Sequence, residues 1–239
     1  MKSEEEPFIR EVSLEKENLT IVLASENQLA ELAKYSASEL DFSIVQLDPT
    51  FNLGPYECTP ISYRNLLLKS KRSGTSPVRL GPVLIHCRKD EKTFREFLQT
   101  VVDAKPKLKE ILSCGTDREI ALINAIQSVL PKADERSVRC FKHLQDNMKS
   151  ALGSFGVAGR QRDYIDDVFD SVDNDGIYLA GLLDAESPEE FDATLQSLRQ
   201  RWVERGDKSE KVYSWVSEGG EMLKKELSLI FVGLQGSIR

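Results

Sequence analysis

Two aspartates each close a short apolar run. Asp48 ends "FSIVQLD" and is followed at once by Pro49; Asp117 ends "ILSCGTD" and precedes the helix-like "REIALINAIQSVLP". A carboxylate at the end of a buried strand can ligate a hard divalent cation. Mg2+ keeps several waters and pairs one or two protein carboxylates with substrate phosphates. Two such ions activate the attacking oxygen and neutralise the leaving oxygen in phosphodiester cleavage. The aspartates lie 69 residues apart (117 − 48), so only the fold can bring them together. Simpler roles stand beside this one. Asp48 before Pro49 is also a turn initiator, with Asn52 and Gly54 completing a turn-like sequence. Thr116 and Glu119 match the Ser/Thr-x-x-Glu capping box, so "TDRE" is also a helix start.

A third constellation is "CFKHLQDN" (140–147). Cys140-x-x-His143 offers two zinc ligands where a structural zinc takes four. The other histidine, His86, is followed by Cys87, and adjacent residues on a strand point to opposite faces. Structural zinc is therefore not expected, and a buried cysteine with a hydrogen-bonded histidine at a strand-to-helix junction is the plainer role. The chain has no Gly-x-Ser-x-Gly, no phosphate loop and no Gly-x-Gly-x-x-Gly. A Ser/His or Cys/His nucleophile would have to use His86 or His143, and neither context supports it.

The elements that must position these residues change character along the chain. Strand-like runs are 19–25, 42–48, 59–70, 78–89, 108–117 and 136–141, with helices predicted at 26–37, 90–104 and 118–131, the last stopped by Pro131. This pattern predicts an α/β fold with a mixed sheet of about five or six strands over residues 1–150. Residues 151–239 read almost wholly as helix. Tyr164, Ile165, Val168 and Phe169 share one helical face. Ser187, Pro188 and Glu190 start another helix with a capping box, and Phe191, Leu195, Leu198 and Trp202 form its apolar stripe. Gly219-Gly220 weakens or kinks a last helix over 211–234.

The 239 residues carry a net charge of −7, unevenly placed. Residues 1–150 hold 22 basic and 22 acidic side chains, whereas 151–239 hold 10 and 17. A duplex binder usually presents a basic face, which this balance does not advertise. The local clusters "KSKR" (69–72) and "KPKLK" (105–109) fit solvated loops or helix faces better than nucleic-acid contacts. No apolar run approaches the roughly 20 residues of a membrane span. The acidic start "MKSEEEPFIREV" is no secretory signal. Four scattered cysteines without Cys-x-x-Cys suit a reducing intracellular compartment, nuclear or cytoplasmic.

The order "LDPTFNLG", "GPVLIHCRKDEKTFREF", "GTDREIALINAIQSVLPKA", "CFKHLQDN" resembles the transposase domain of Mutator-like elements (MULE transposases), and "GLLDAESPEEFDATLQSLRQRW" resembles that family's helical insertion. The resemblance implies a ribonuclease-H-like fold, followed by an all-helical insertion region, with an Asp-Asp-Glu triad holding two Mg2+ or Mn2+ ions. It implies cleavage of DNA at element ends by water, then attack of the freed 3′-hydroxyl on target DNA. Asp48 matches the first acid, on the first core strand, and Asp117 the second, at the end of the fourth. Cys140, His143 and Asn147 match the family's Cys/His signature. DNA is the implied partner, and neither a membrane nor a small-molecule substrate is implied; homo-oligomers are a further possibility, favoured if apolar stripes of the acidic helical part are left exposed. Two departures matter. Arg118 stands where the family usually has glycine. The family's glutamate, in a Thr-Asn…Glu-Ser context after the insertion, has no counterpart, because Glu190, Glu221 and Glu226 lie in other contexts. No zinc module precedes residue 8 or follows the insertion. The expectation is a truncated transposase domain, inactive as this chain. The alternative is a domesticated, transposase-derived protein that binds DNA or acts as a regulatory or interaction module without catalysis.

Overall fold

The computed structural model describes residues 7–220 except 16–17, 50, 72–73, 118, 135–137, 140, 158, 170, 173–176 and 207. The chain divides into two compact units, 1–140 and 141–239.

The first unit is a mixed α/β sheet flanked by helices. Its strands are β1 (Ile9–Glu15), β2 (Asn18–Leu23), β3 (Val45–Leu47), β4 (Phe51–Leu53), β5 (Tyr56–Arg64), β6 (Val78–His86), β7 (Cys114–Thr116) and β8 (Val138–Arg139). Their order across the sheet is β1-β2-β6-β5-β3-β7-β8, with β4 paired to β5. Every pairing from β1 to β3 is antiparallel; β3–β7 and β7–β8 are parallel. Parallel neighbours need crossover connections. Here α2 (Glu91–Ala104) lies between β6 and β7, and α3 (Ile120–Val129) between β7 and β8.

Helix α1 (Glu26–Ser36) begins at Ser25, which forms a reciprocal capping box with Gln28. Helix α2 begins at Asp90, whose carboxylate accepts the Thr93 N–H at 2.8 Å. Phe94, Phe97, Leu98 and Val101 of α2 are buried, as their spacing predicts. With Leu29 and Leu32 of α1, Val45 and Leu47 of β3, and Leu122 and Ile126 of α3, they form one continuous core.

The mixed sheet is as predicted, and among the described residues the edge strand β1 and the three-residue β4 extend it to eight strands. Several expectations are corrected. The segment 59–70 is strand only to Arg64, and it bulges between Pro60 and Ser62, next to a residue with no N–H to give. Phe51–Leu53 is strand β4 rather than turn. The reversal falls at Gly54-Pro55, where Gly54 has φ +69°, the positive value required at the first central position of a II′ hairpin turn. Pro131 does not merely stop α3, because it opens the short helix α4 (Pro131–Asp134).

The second unit contains α5 (Phe141–Ser154), α6 (Gln161–Phe169), α7 (Pro188–Val203) and a helix over 209–220. It is not wholly helical, since β9 (Ser171–Val172) and β10 (Tyr178–Leu179) pair antiparallel. The predicted stripes are buried: Tyr164, Ile165, Val168 and Phe169 on α6, and Phe191, Leu195, Leu198 and Trp202 on α7. Ser187 caps α7 by accepting the Glu190 N–H. Glu190 reaches back to the N–H of Glu186, one residue beyond Ser187, so the box on Ser187 is not closed. Gly220 is helical, and a Cβ there would stand 3.2 Å from the Phe191 ring, so the missing side chain lets the helix approach α7 closely.

Candidate functional site

The two aspartates predicted from the sequence extend neighbouring strands. In the parallel pair β3–β7, Val45 lies opposite Cys114 and Gln46 opposite Gly115, an offset of 69 residues at both positions. Asp48 and Asp117 each stand one residue past the end of their strand, separated by the same offset of 69. Adjacent strands are separated by about 4.8 Å, so both carboxylates leave the C-terminal ends of touching strands. Strand alternation also gives them one face. Val45 and Leu47 are buried and Gln46 exposed, so Asp48 follows Gln46. A Cβ at Gly115 would meet the side chains of Gln46 and Ile44, so Asp117 falls on that face as well. An open cavity of about 250 Å³, lined by Ile44, Gln46, Ser62 and Arg64 among others, lies toward the N-terminal end of β3, and neither aspartate lines it.

Both aspartates are half-buried. Oδ1 of Asp48 is shielded from solvent and makes no hydrogen bond, although the residue has other interactions. Oδ1 of Asp117 accepts the Glu119 N–H at 3.0 Å. This replaces the capping box predicted for "TDRE": Thr116 is buried in β7, and α3 starts at Glu119 with no side-chain cap. Asp117 thus shapes the strand-to-helix turn with one lobe of its carboxylate, and that bond alone does not use up its capacity to accept. Arg118 lies outside the described residues.

The donor set fits a hard divalent cation of the kind that completes its shell with water and substrate oxygens. Asp48 and Asp117 would hold such an ion. When bound, it would supply Lewis-acid activation and charge neutralisation at a substrate oxygen. Among the described residues, no third His, Cys, Asp or Glu joins a ligand cluster.

The remaining predicted residues lie elsewhere in the chain. His143 and Asn147 sit four residues apart on one face of α5, in the second unit. Cys140 lies outside the described residues, so the Cys140-x-x-His143 motif is described only at its histidine. Glu190 is exposed in the first turn of α7, and Glu221 and Glu226 lie outside the described residues.

A further group at the strand ends carries no pattern visible in the sequence. Lys89, just past β6, pairs with Glu57 of β5 at 2.7 Å. Its ammonium is held above the ordinary lysine value, first by that hydrogen bond and further by Glu119 and Asp117. The turn presenting it is fixed by His86, which is fully buried. The Arg88 carbonyl can only accept, so His86 Nδ1 carries the proton it donates there (2.8 Å), and Nε2 accepts from the Thr59 hydroxyl (2.8 Å). Burial pushes the His86 pKa down, which matches this neutral tautomer. His86 is therefore a structural strut, with its ring edge against Phe94.

Comparison with family models, with curated proteins and with solved structures finds no match.

Proposed function

We propose that the first unit is a ribonuclease-H-like core of the Mutator-like transposase type, in which Asp48 and Asp117 hold Mg2+ or Mn2+ at a DNA phosphodiester. The reading is carried by the position of the two aspartates, each directly after one of two adjacent parallel strands and separated by the 69-residue offset of that ladder. The topology gives further support. Counted from β3, with β4 as a side arm on β5, the core strands are β3, β5, β6, β7 and β8. The acids then end the first and the fourth, as the resemblance implies. The first three core strands are antiparallel, and the last two join β3 in parallel through helical crossovers.

A second reading, a transposase-derived protein that binds without cutting, is favoured by one observation: no third carboxylate joins the pair among the described residues. On this chain the two readings share the metal site and differ in turnover. The expected outcome is that Mn2+ binds the chain, that Asp48→Asn and Asp117→Asn each weaken binding at least tenfold, and that supercoiled plasmid stays uncut. Such losses match those seen when a metal site is disturbed, about 10–100-fold. Mn2+ binding unchanged in both variants would sink the metal site. Plasmid nicking that disappears in Asp48→Asn would sink the non-cutting reading.

A further inference from the structure

We propose that Lys89 is a phosphate-contacting residue at the same end of the sheet: held by Glu57 in the free protein, its ammonium transfers to a backbone phosphate of bound DNA. The inference rests on the reading of Asp48 and Asp117 as a DNA-processing pair and adds to it the group that holds the substrate.

Four observations carry it. Lys89 follows the end of β6, and Glu57 lies directly across from His86 in the β5–β6 ladder, so the lysine folds back over that pair to reach its carboxylate. The bridge is at the surface, with the Lys89 and Glu57 side chains 38% and 26% exposed. Pairs so placed contribute little to stability, so exchanging the partner costs little. The setting around the lysine is acidic, since Asp117 and Glu119 act on it as well as Glu57. A phosphodiester brought to two aspartates meets like charge, and a nearby ammonium offsets that repulsion; lysine binds phosphate as a mobile point charge. Finally, the stem is anchored. The His86–Arg88 hydrogen bond and the Thr59–His86 contact fix the turn immediately before Lys89, while its four-carbon stem is of a flexible type that can carry the ammonium from one partner to another.

The test uses the whole chain and a fluorescent 20-base-pair DNA duplex with Ca2+, read by anisotropy over a range of salt. Lys89→Gln is expected to weaken binding about fivefold and to make the slope of log affinity against log salt shallower by about 0.9, the value for one lost phosphate contact. Lys89→Arg keeps both within about twofold, since the charge remains. Glu57→Gln tightens binding by freeing the lysine, and that gain disappears in the Glu57→Gln/Lys89→Gln double variant, which separates release of Lys89 from the general effect of removing a negative charge. Lys89→Gln with unchanged affinity and slope would overturn the proposal. So would Glu57→Gln weakening binding as much as Lys89→Gln does, because a purely structural bridge fails the same way from either side. A parallel Mn2+ titration distinguishes the two levels. Metal binding that depends on Asp48, with DNA binding indifferent to Lys89, leaves the metal pair standing and removes this proposal. A chain that binds neither Mn2+ nor duplex removes both.

Discussion

Asp167 of α6 receives three donors: Arg201 at 3.0 Å, the Trp202 indole N–H at 2.7 Å and Arg205 at 2.6 Å. Its side chain is 11% exposed, and Arg205 also lies over the Tyr164 ring, which meets Trp202 edge-on. Asp117, just past the end of β7, accepts one backbone N–H, and the adjacent parallel strand also runs into a carboxylate, Asp48. The two aspartates stand in different electrostatic company. A carboxylate that accepts from two guanidiniums and an indole is committed to structure, because ligating an ion would leave those donors unpaired. A carboxylate whose neighbouring strand runs into another gains from a cation instead.

The contrast breaks most visibly through stability. Asp167→Ala leaves Arg205 and the Trp202 N–H without their acceptor and is expected to destabilise the second unit by about 3 kcal/mol. Both tryptophans of the chain, Trp202 and Trp215, lie in that unit, so the urea midpoint followed by tryptophan fluorescence reads it directly. The isosteric Asp48→Asn and Asp117→Asn should leave the unfolding midpoint of the first unit, followed by circular dichroism, nearly unmoved while weakening Mn2+ binding. If Asp117→Asn unfolded the first unit as Asp167→Ala unfolds the second, the contrast would collapse.

A middle case sharpens it. Asp90 caps α2 by accepting the Thr93 N–H, and that bond is the main cause of its lowered pKa. Asp90→Ala is expected to cost about 1 kcal/mol, as caps do, measured by thermal unfolding followed by circular dichroism. Because its folded pKa lies below the unfolded 3.8, its contribution is present above pH 3.8 and fades as the pH falls through the folded value. A cap is thus a carboxylate used for structure at modest strength, and Asp117 should fall below even this.

The subtlest effect is the pH response of the first unit. His86 is folded as the neutral form with a lowered pKa, so the unfolded chain takes up its proton first as the pH drops below 6.5. Stability is full above pH 6.5 and declines from there toward the folded value. Hydrogen exchange of β5 and β6 amides should quicken over that window, and His86→Gln should flatten the response.

Helical periodicity made α1, α2, α3, α6 and α7 legible, because each buries a stripe whose spacing stands in the sequence. Strands β3 and β7 were legible as apolar runs ended by acids. What escaped was structure set by distant partners. Strand β1 leaves Ile9, Val12 and Leu14 exposed, so no apolar alternation marks it. Strand β4 is three residues long and exists by pairing with β5. The capping box predicted at Thr116 lost to burial of Thr116 within β7. Asp48 and Asp117 could each be singled out from local sequence, but their companionship could not, since the 69-residue offset becomes a register only once β7 lies beside β3. Lys89 was hidden for the same reason, because its partner Glu57 is supplied by another strand.

Cys114 lies in β7 three residues before Asp117, opposite Val45, and is wholly enclosed, with burial pushing its thiol up to about 12. Cys58 and Cys87 are only half-buried. A thiol held in that state is a clock. It reacts with an alkylating reagent only in the moments when β7 parts from its neighbours, so the lag between fast and slow labelling measures how long β7 keeps its place in the sheet.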